Sequence, residues 1–176
     1  MKNISMILLA LLIGFTVYSQ DAKKKGQKLP SVDLKTASGE PFNTANISND
    51  GKPIILSFWA LWCKPCIKEL NAISYEYYDW QEETGVKLVA VSIDDARSSA
   101  KVKPYADGND WEYEILLDVN GDFKRAMNVN MIPHTFILDG EGRVVWQHTS
   151  FSEGGELQLI ENVRKIIAGE EIDEAH

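Results

Sequence analysis

The spacing of apolar and polar residues predicts a strand, a helix and a second strand in the first half of the chain. Apolar, β-branched runs at 53–59 and 87–93 are short and suited to strands that are buried on both faces of a sheet. Between them, apolar residues recur every three or four positions after Pro65, which predicts one buried face of a helix. This order favours a right-handed crossover between parallel strands. The helix-face residues are Leu70, Ile73, Tyr77 and Trp80.

The second half of the chain predicts antiparallel strands. Runs at 135–138 and 143–147 flank Asp-Gly-Glu-Gly at 139–142, which has the composition of a hairpin turn. The sequence therefore indicates an α/β domain with a central mixed β-sheet flanked by helices. The other predicted elements are a short helix within 97–105, a weak strand at 114–117, a short helix at 122–127 and a closing helix at 156–167.

The amino terminus has the pattern of an export signal. Lys2 precedes an uncharged segment at 4–18, and small or modest side chains at 17–19 stand before Gln20. An uncleaved membrane anchor is the alternative, although the apolar run is shorter than the ~20 residues that cross a bilayer. We expect a signal peptide at 1–19 and a periplasmic or otherwise extracytoplasmic protein, membrane-tethered if the signal is not cleaved.

Length and net charge limit the number of domains and the kinds of binding partner. A chain of 176 residues supports one ordinary core. We expect a flexible leader at 20–28, the domain at 29–168 and an acidic tail at 169–176. The net charge of −8 argues against a nucleic-acid partner, because phosphate binding needs clustered Lys and Arg.

The two cysteines of the chain, Cys63 and Cys66, stand where the first buried strand meets its helix. If Cys63 precedes the first helical turn, the helix dipole and unpaired N–H groups favour its thiolate, which is the form that attacks disulfides. Cys66 would lie one turn inside, near enough to form a disulfide. Lys64 adds positive charge beside the pair, and Pro65 suits the first turn because its missing N–H has no helical partner to lose. The pattern predicts a redox-active dithiol.

A structural disulfide and a zinc site are the alternatives. A bridge across two intervening residues closes too small a loop to stabilise the fold much. Zinc would need two further ligands, and His134, His148 and His176 do not show paired zinc spacing. We expect thiol–disulfide exchange without a metal or other cofactor.

Two segments resemble the exported TlpA/ResA-like branch of the thioredoxin superfamily: Phe-Trp-Ala-Leu-Trp-Cys-Lys-Pro-Cys at 58–66 and Met-Ile-Pro-His-Thr-Phe at 131–136. The resemblance covers about 29–168 and implies a thioredoxin-like fold with an amino-terminal extension. It implies that Cys63 is the exposed nucleophile and Cys66 the resolving thiol. It also implies a cis-proline, Pro133, opposite the dithiol, where the backbone of Ile132 would meet a substrate strand. A turn proline at the start of an edge strand is the alternative for Pro133.

The resemblance also implies a carboxylate that carries a proton near the resolving cysteine. Alignment assigns this role to Asp95, which we expect to be partly buried with a raised pKa. Alternatively, Asp94 or Asp95 caps the following helix. His134 stands where relatives commonly have Thr, and either tunes the thiolate or makes a local hydrogen bond.

We also predict the positions of three further side chains close to the dithiol in sequence. Trp62 is expected to cover the dithiol and to offer an apolar contact to substrate, whereas Trp59 belongs to the core. Glu69, one turn after Pro65, is expected to be a solvated helix residue.

By this resemblance the protein reduces protein or peptide disulfides and is itself reduced by a membrane-bound electron donor, for example in cytochrome c maturation or protein repair. Lys64 and Pro65 constrain the redox direction only loosely. Two other functions stay open. A peroxiredoxin-like thiol peroxidase would carry Thr and Pro ahead of its cysteine, where this chain has Trp59 and Ala60. A non-catalytic thioredoxin-fold binding module would not need both cysteines.

Overall fold

The computed structural model of the chain describes residues 26–172, which form a seven-stranded mixed sheet of order β2-β1-β5-β4-β3-β6-β7 with helices packed on it. The strands are β1 (Asp33–Thr36), β2 (Pro41–Asn43), β3 (Ile54–Trp59), β4 (Lys87–Ser92), β5 (Glu114–Leu117), β6 (His134–Leu138) and β7 (Val144–Thr149). The α-helices are α1 (Lys64–Thr84), α2 (Val102–Asp107), α3 (Asp122–Ala126) and α4 (Gly155–Ala168), and short 3-10 helices span Thr44–Asn46 and Ser99–Lys101.

The centre of the sheet has the predicted arrangement. β3 pairs in parallel with β4 and antiparallel with β6, so the strand that leads to the dithiol is buried between two neighbours. β6 and β7 form the predicted antiparallel pair, and their turn closes with a hydrogen bond from the N–H of Gly142 to the carbonyl of Asp139. α1 ends at Gly85, whose φ of 66° is left-handed and whose N–H bonds the carbonyl of Gln81.

An amino-terminal hairpin adds two strands that the sequence pattern did not predict. β1 pairs antiparallel with β2 and with β5. Backbone pairing also begins before the predicted domain boundary at 29, because the carbonyl of Gln27 accepts a hydrogen bond from Val144 and Lys28 bridges to Arg143. The last part of the predicted flexible leader is therefore held against β7.

The two faces of the sheet bury separate apolar clusters. In β3, Ile55 and Trp59 contribute to the cluster that also contains the buried side of α1 and α4. Ile54, Leu56 and Phe58 point to the other face, in a cluster with Phe123 of α3. The alternation of side chains along β3 thus places Ser57 on the same face as α1.

The predicted signal peptide at 1–19 lies outside the described residues, as do 20–25 of the leader and 173–176 of the acidic tail. At the carboxyl end of the described range, Gly169 caps α4 and Ile172 packs against the core. Among residues 26–172, none of the helices has the length and apolar character that a membrane span requires.

Candidate active site

Cys63 and Cys66 form a disulfide at the start of α1, with their Cα atoms 5.3 Å apart. Cys63 is the N-cap residue of the helix, as the sequence predicts, and its Sγ accepts a hydrogen bond from the N–H of Cys66 at 3.3 Å. Cys63 is only 4% exposed, so the expectation of an exposed cysteine is wrong for the disulfide form, although Cys66 is buried completely. The N–H of Cys66, which has no partner within the helix, therefore points toward the sulfur of Cys63.

The first helical turn is open to solvent on its other side. Lys64 and Pro65 are both exposed, and Pro65 occupies the first turn as predicted. Trp62 is 68% exposed beside Cys63 and presents a large apolar surface. Trp59 is fully buried in contact with Trp111, so its expected place in the core is confirmed.

The loop before β6 meets the end of β3. Phe58 pairs with His134, which brings residues 131–133 next to the segment that carries Cys63. The Ile132–Pro133 bond is cis, which confirms this feature of the family resemblance. Ile132 packs against the cluster that contains both cysteines, and Met131 before it is 58% exposed.

Glu69 is a buried carboxylate on α1, about one helical turn after Cys66. It is fully buried, so the expectation of a solvated side chain is wrong. The residue lies three positions after Cys66 and directly before Leu70, which places it on the buried face of α1. That spacing was a signal in the sequence, but the acidic side chain favoured the opposite interpretation.

Polar groups surround the Glu69 carboxylate on the sheet below it. The hydroxyls of Ser57 and Thr135 lie 3.3 and 3.0 Å from Oε2. Nε2 of His148 lies 2.7 Å from Oε1. The carboxylate is thus hydrogen-bonded on both oxygens, as a buried acidic group requires.

The expectation that Asp95 is partly buried with a raised pKa is wrong. Its carboxylate is exposed, and a hydrogen bond from the Ser98 hydroxyl, followed by one from the N–H of Arg97, lowers the pKa. Asp95 accepts hydrogen bonds from the N–H groups of Arg97 and Ser98 in the turn that follows β4. It does not cap the next helix, the 3-10 helix Ser99–Lys101, whose N-cap residue is Ser98. The proton-carrier role does not fit this position.

Asp94, by contrast, is buried and supports the loop before Cys63. Its Oδ2 accepts hydrogen bonds from the N–H of Leu61 and the hydroxyl of Ser92, both at 2.9 Å. Leu61 stands two residues before Cys63, so Asp94 fixes the backbone that presents the nucleophile.

His134 makes the local contacts that one of its two interpretations predicts. Its ring stacks on Phe136 with centroids 4.3 Å apart, and Nε2 lies 3.1 Å from Oε1 of Gln147. Burial lowers its pKa, with the Gln147 contact opposing that effect and His148 adding a smaller decrease. Within the range 26–172, no group of three or more His, Cys, Asp or Glu side chains has an arrangement able to hold a metal ion.

A disulfide at the amino end of a helix, next to a buried strand and a cis-proline loop, defines a thioredoxin-fold thiol–disulfide oxidoreductase. The model of the AhpC/TSA family matches residues 25–147, and the chain belongs to this family. The resemblance to the ResA-like thioredoxin-fold proteins is confirmed, and so is the expected enzyme class.

The relatives carry matching names. The chain is 37% identical over 153 residues to thioredoxin-like protein YneN of Bacillus subtilis, covering 80% of this chain and 85% of the relative. It is 28% identical over 170 residues to thiol-disulfide oxidoreductase ResA of Bacillus cereus, covering 94% of each chain. A thioredoxin-like protein of Porphyromonas gingivalis, known from a solution structure, is 55% identical, with a TM-score of 0.73 and coverage of 84% of this chain and 97% of that chain. The expected thioredoxin-like fold is confirmed.

Proposed function

We propose that this protein is an extracytoplasmic reductase of protein disulfides and that Cys63 is its nucleophile. The observation that carries the proposal is the N-cap position of Cys63, whose Sγ accepts a hydrogen bond from the N–H of Cys66 in the first turn of α1. In the reduced enzyme the same N–H and the helix dipole favour the Cys63 thiolate over a thiolate at the fully buried Cys66.

The cycle begins when the Cys63 thiolate attacks a substrate disulfide, forming a mixed disulfide and releasing one substrate thiolate. Cys66 then loses its proton and attacks Sγ of Cys63, which forms the enzyme disulfide and releases the second substrate thiolate. Two electrons pass from the dithiol to the substrate. We assign the proton acceptor for Cys66 to Glu69, one turn further along the same buried face of α1, in place of Asp95.

We assign substrate docking to the apolar surface on both sides of the dithiol. Trp62 and Met131 are large, exposed and carried by adjoining loops. Between them, the backbone of Ile132 is available to pair with an extended substrate segment. This arrangement suits a polypeptide disulfide better than a small, highly charged molecule.

The physiological setting follows from the export signal predicted at 1–19. Outside the cytoplasm the enzyme needs a source of electrons, which we assign to a membrane-bound donor that reduces the Cys63–Cys66 disulfide. Cytochrome c maturation and the repair of wrongly oxidised proteins are the roles we propose for this reducing power.

An insulin-reduction assay with dithiothreitol tests the proposal. The wild type should accelerate insulin reduction, and Cys63→Ala should not. A reduction potential near the thioredoxin value of about −270 mV supports a reductant, and one near about −120 mV would point to an oxidant. If the wild type and Cys63→Ala reduce insulin at the same slow rate, the result would contradict the proposal and favour a non-catalytic binding module. Substituting hydrogen peroxide for insulin tests the peroxidase alternative.

A further inference from the structure

A row of polar side chains crosses the sheet from β3 to the outer strand β7. Ser57 on β3 pairs with Thr135 on β6, which in turn pairs with His148 on β7. The three side chains share the face covered by α1, where Glu69 contacts all of them. The neighbouring row on the same face, Ile55, Ile137 and Trp146, is apolar.

Only one end of this row reaches solvent. Ser57, Thr135 and Glu69 are fully buried. The His148 side chain is 13% exposed, because β7 is the last strand of the sheet. A proton held by Glu69 therefore has a titratable group 2.7 Å away that contacts both the carboxylate and the surface.

We propose that His148 acts through Glu69 as a positioning residue that also exchanges the Glu69 proton with solvent. The inference rests on the proposed function, in which Glu69 takes the proton of Cys66. In the resolution step the proton moves from Sγ of Cys66 to the Glu69 carboxylate and then to Nε2 of a neutral His148 in the tautomer that carries its hydrogen on Nδ1. The resulting imidazolium releases one proton to water, and no electron moves along this route. When the enzyme disulfide is reduced again, the same route returns a proton to Cys66.

Other ionisable groups on the surrounding elements do not replace His148 in this route. On α1, Lys68 is exposed, and its Nζ lies 3.9 Å from Oε1 of Glu153. On β6, His134 points to the opposite face of the sheet, where it stacks on Phe136. On α4, Glu156 has a buried Oε2 that finds no hydrogen-bond partner in the described part of the chain, Glu69 included. On the segment before β5, the hydroxyl of Tyr113 donates its hydrogen bond to the carbonyl of Leu70 and not to Glu69. Among these ionisable groups, His148 on the outer strand is the one that contacts the Glu69 carboxylate.

Reaction of the reduced enzyme with 5,5′-dithiobis(2-nitrobenzoate) separates the two chemical steps. The first thionitrobenzoate released reports attack by Cys63, and the second reports resolution by Cys66. In His148→Gln the amide can still hydrogen-bond to Glu69 but cannot exchange a proton. We expect an unchanged first phase, a second phase slower by roughly tenfold to a hundredfold, and recovery of the second phase as imidazole is added. Thr149→Val, the next position on β7 with its side chain on the other face, should leave both phases unchanged.

The assay has outcomes that contradict the inference. A second phase in His148→Gln that matches the wild type across the pH range would overturn it, and so would a slow phase that imidazole does not restore. Should His148→Gln fail to fold, the second phase of the wild type is compared in H2O and D2O, and equal rates would overturn the inference. Loss of the first phase in the wild type would instead contradict the proposed function, so the two failures are distinguishable.

Discussion

The N–H of Leu61 donates a hydrogen bond of 2.9 Å to Oδ2 of Asp94, which joins the loop before Cys63 to the segment after β4. Asp94 is buried, and the same oxygen accepts a hydrogen bond from Ser92. The position of the nucleophile therefore depends on a carboxylate from the segment that follows β4.

Replacing Asp94 should destabilise the protein and slow disulfide reduction. In Asp94→Ala the N–H of Leu61 loses its acceptor, and we expect a loss of about 1–3 kcal/mol in the free energy of unfolding. Asp94→Asn keeps an acceptor oxygen and should retain most of the stability. Asp95→Ala is the matched control at an exposed carboxylate and should have a smaller effect. Urea unfolding of the oxidised variants measures the difference, and equal stability of the two Ala variants would contradict this role of Asp94.

Glu69→Gln should slow the resolution step because the amide keeps the shape of the side chain but does not accept the Cys66 proton. We expect the second phase of the thionitrobenzoate assay to fall by roughly a hundredfold or more. Glu76→Gln, at an exposed position of α1, provides the control and should match the wild type. If both variants resolve at the wild-type rate, Glu69 is not the proton acceptor.

Trp62→Ala and Met131→Ala should weaken the binding of a protein substrate. We expect about a fivefold to tenfold increase in KM for insulin, since exposed apolar anchors supply much of the binding energy of an interface. Reduction of the enzyme disulfide by dithiothreitol should change little, because that small molecule does not need the surface. Tyr75→Ala provides the control, because it removes a large exposed side chain from α1, outside the two loops that carry Trp62 and Met131. An equal increase in KM for Tyr75→Ala would argue against a specific docking surface.

His134 should make the protein less stable in mild acid. Burial lowers its pKa below the ordinary value of 6.5, so the unfolded chain binds a proton at a higher pH than the folded protein does. Its contribution to stability is complete above the unfolded pKa and is lost as the pH falls from about 6.5 through the lower folded pKa. Unfolding free energies between about pH 7 and about pH 5 should decline less in His134→Gln than in the wild type. Identical slopes would contradict the lowered pKa.

The central elements of the fold could be predicted because their apolar patterns are long and regular. β3, β4, α1 and the β6–β7 pair lie within a few residues of the predicted ranges. The β1–β2 hairpin was missed because its strands are four and three residues long and Leu34 is their one buried residue. The hairpin joins the sheet through the pairing of β1 with β5, and a pairing between distant segments leaves no pattern in the local sequence.

The dithiol could also be predicted, because its chemistry depends on residues that are adjacent in sequence. The residues that support the dithiol could not be predicted, because they come from different strands and helices that meet only in the folded protein. His148 reaches Glu69 from 79 residues away, and Thr135 reaches it from 66. Asp94 and Asp95 are neighbours in sequence, yet only the burial of each side chain shows which of them supports the nucleophile.

Trapping of a substrate by single-cysteine variants tests the central claim most directly. Cys66→Ser should accumulate a mixed disulfide between Cys63 and a polypeptide substrate, because the resolving thiol is missing, and dithiothreitol should release it. Cys63→Ser should trap none, since Cys66 is fully buried within the first turn of α1. A mixed disulfide at Cys66 in Cys63→Ser, or none in Cys66→Ser, would contradict the assignment of Cys63 as the nucleophile.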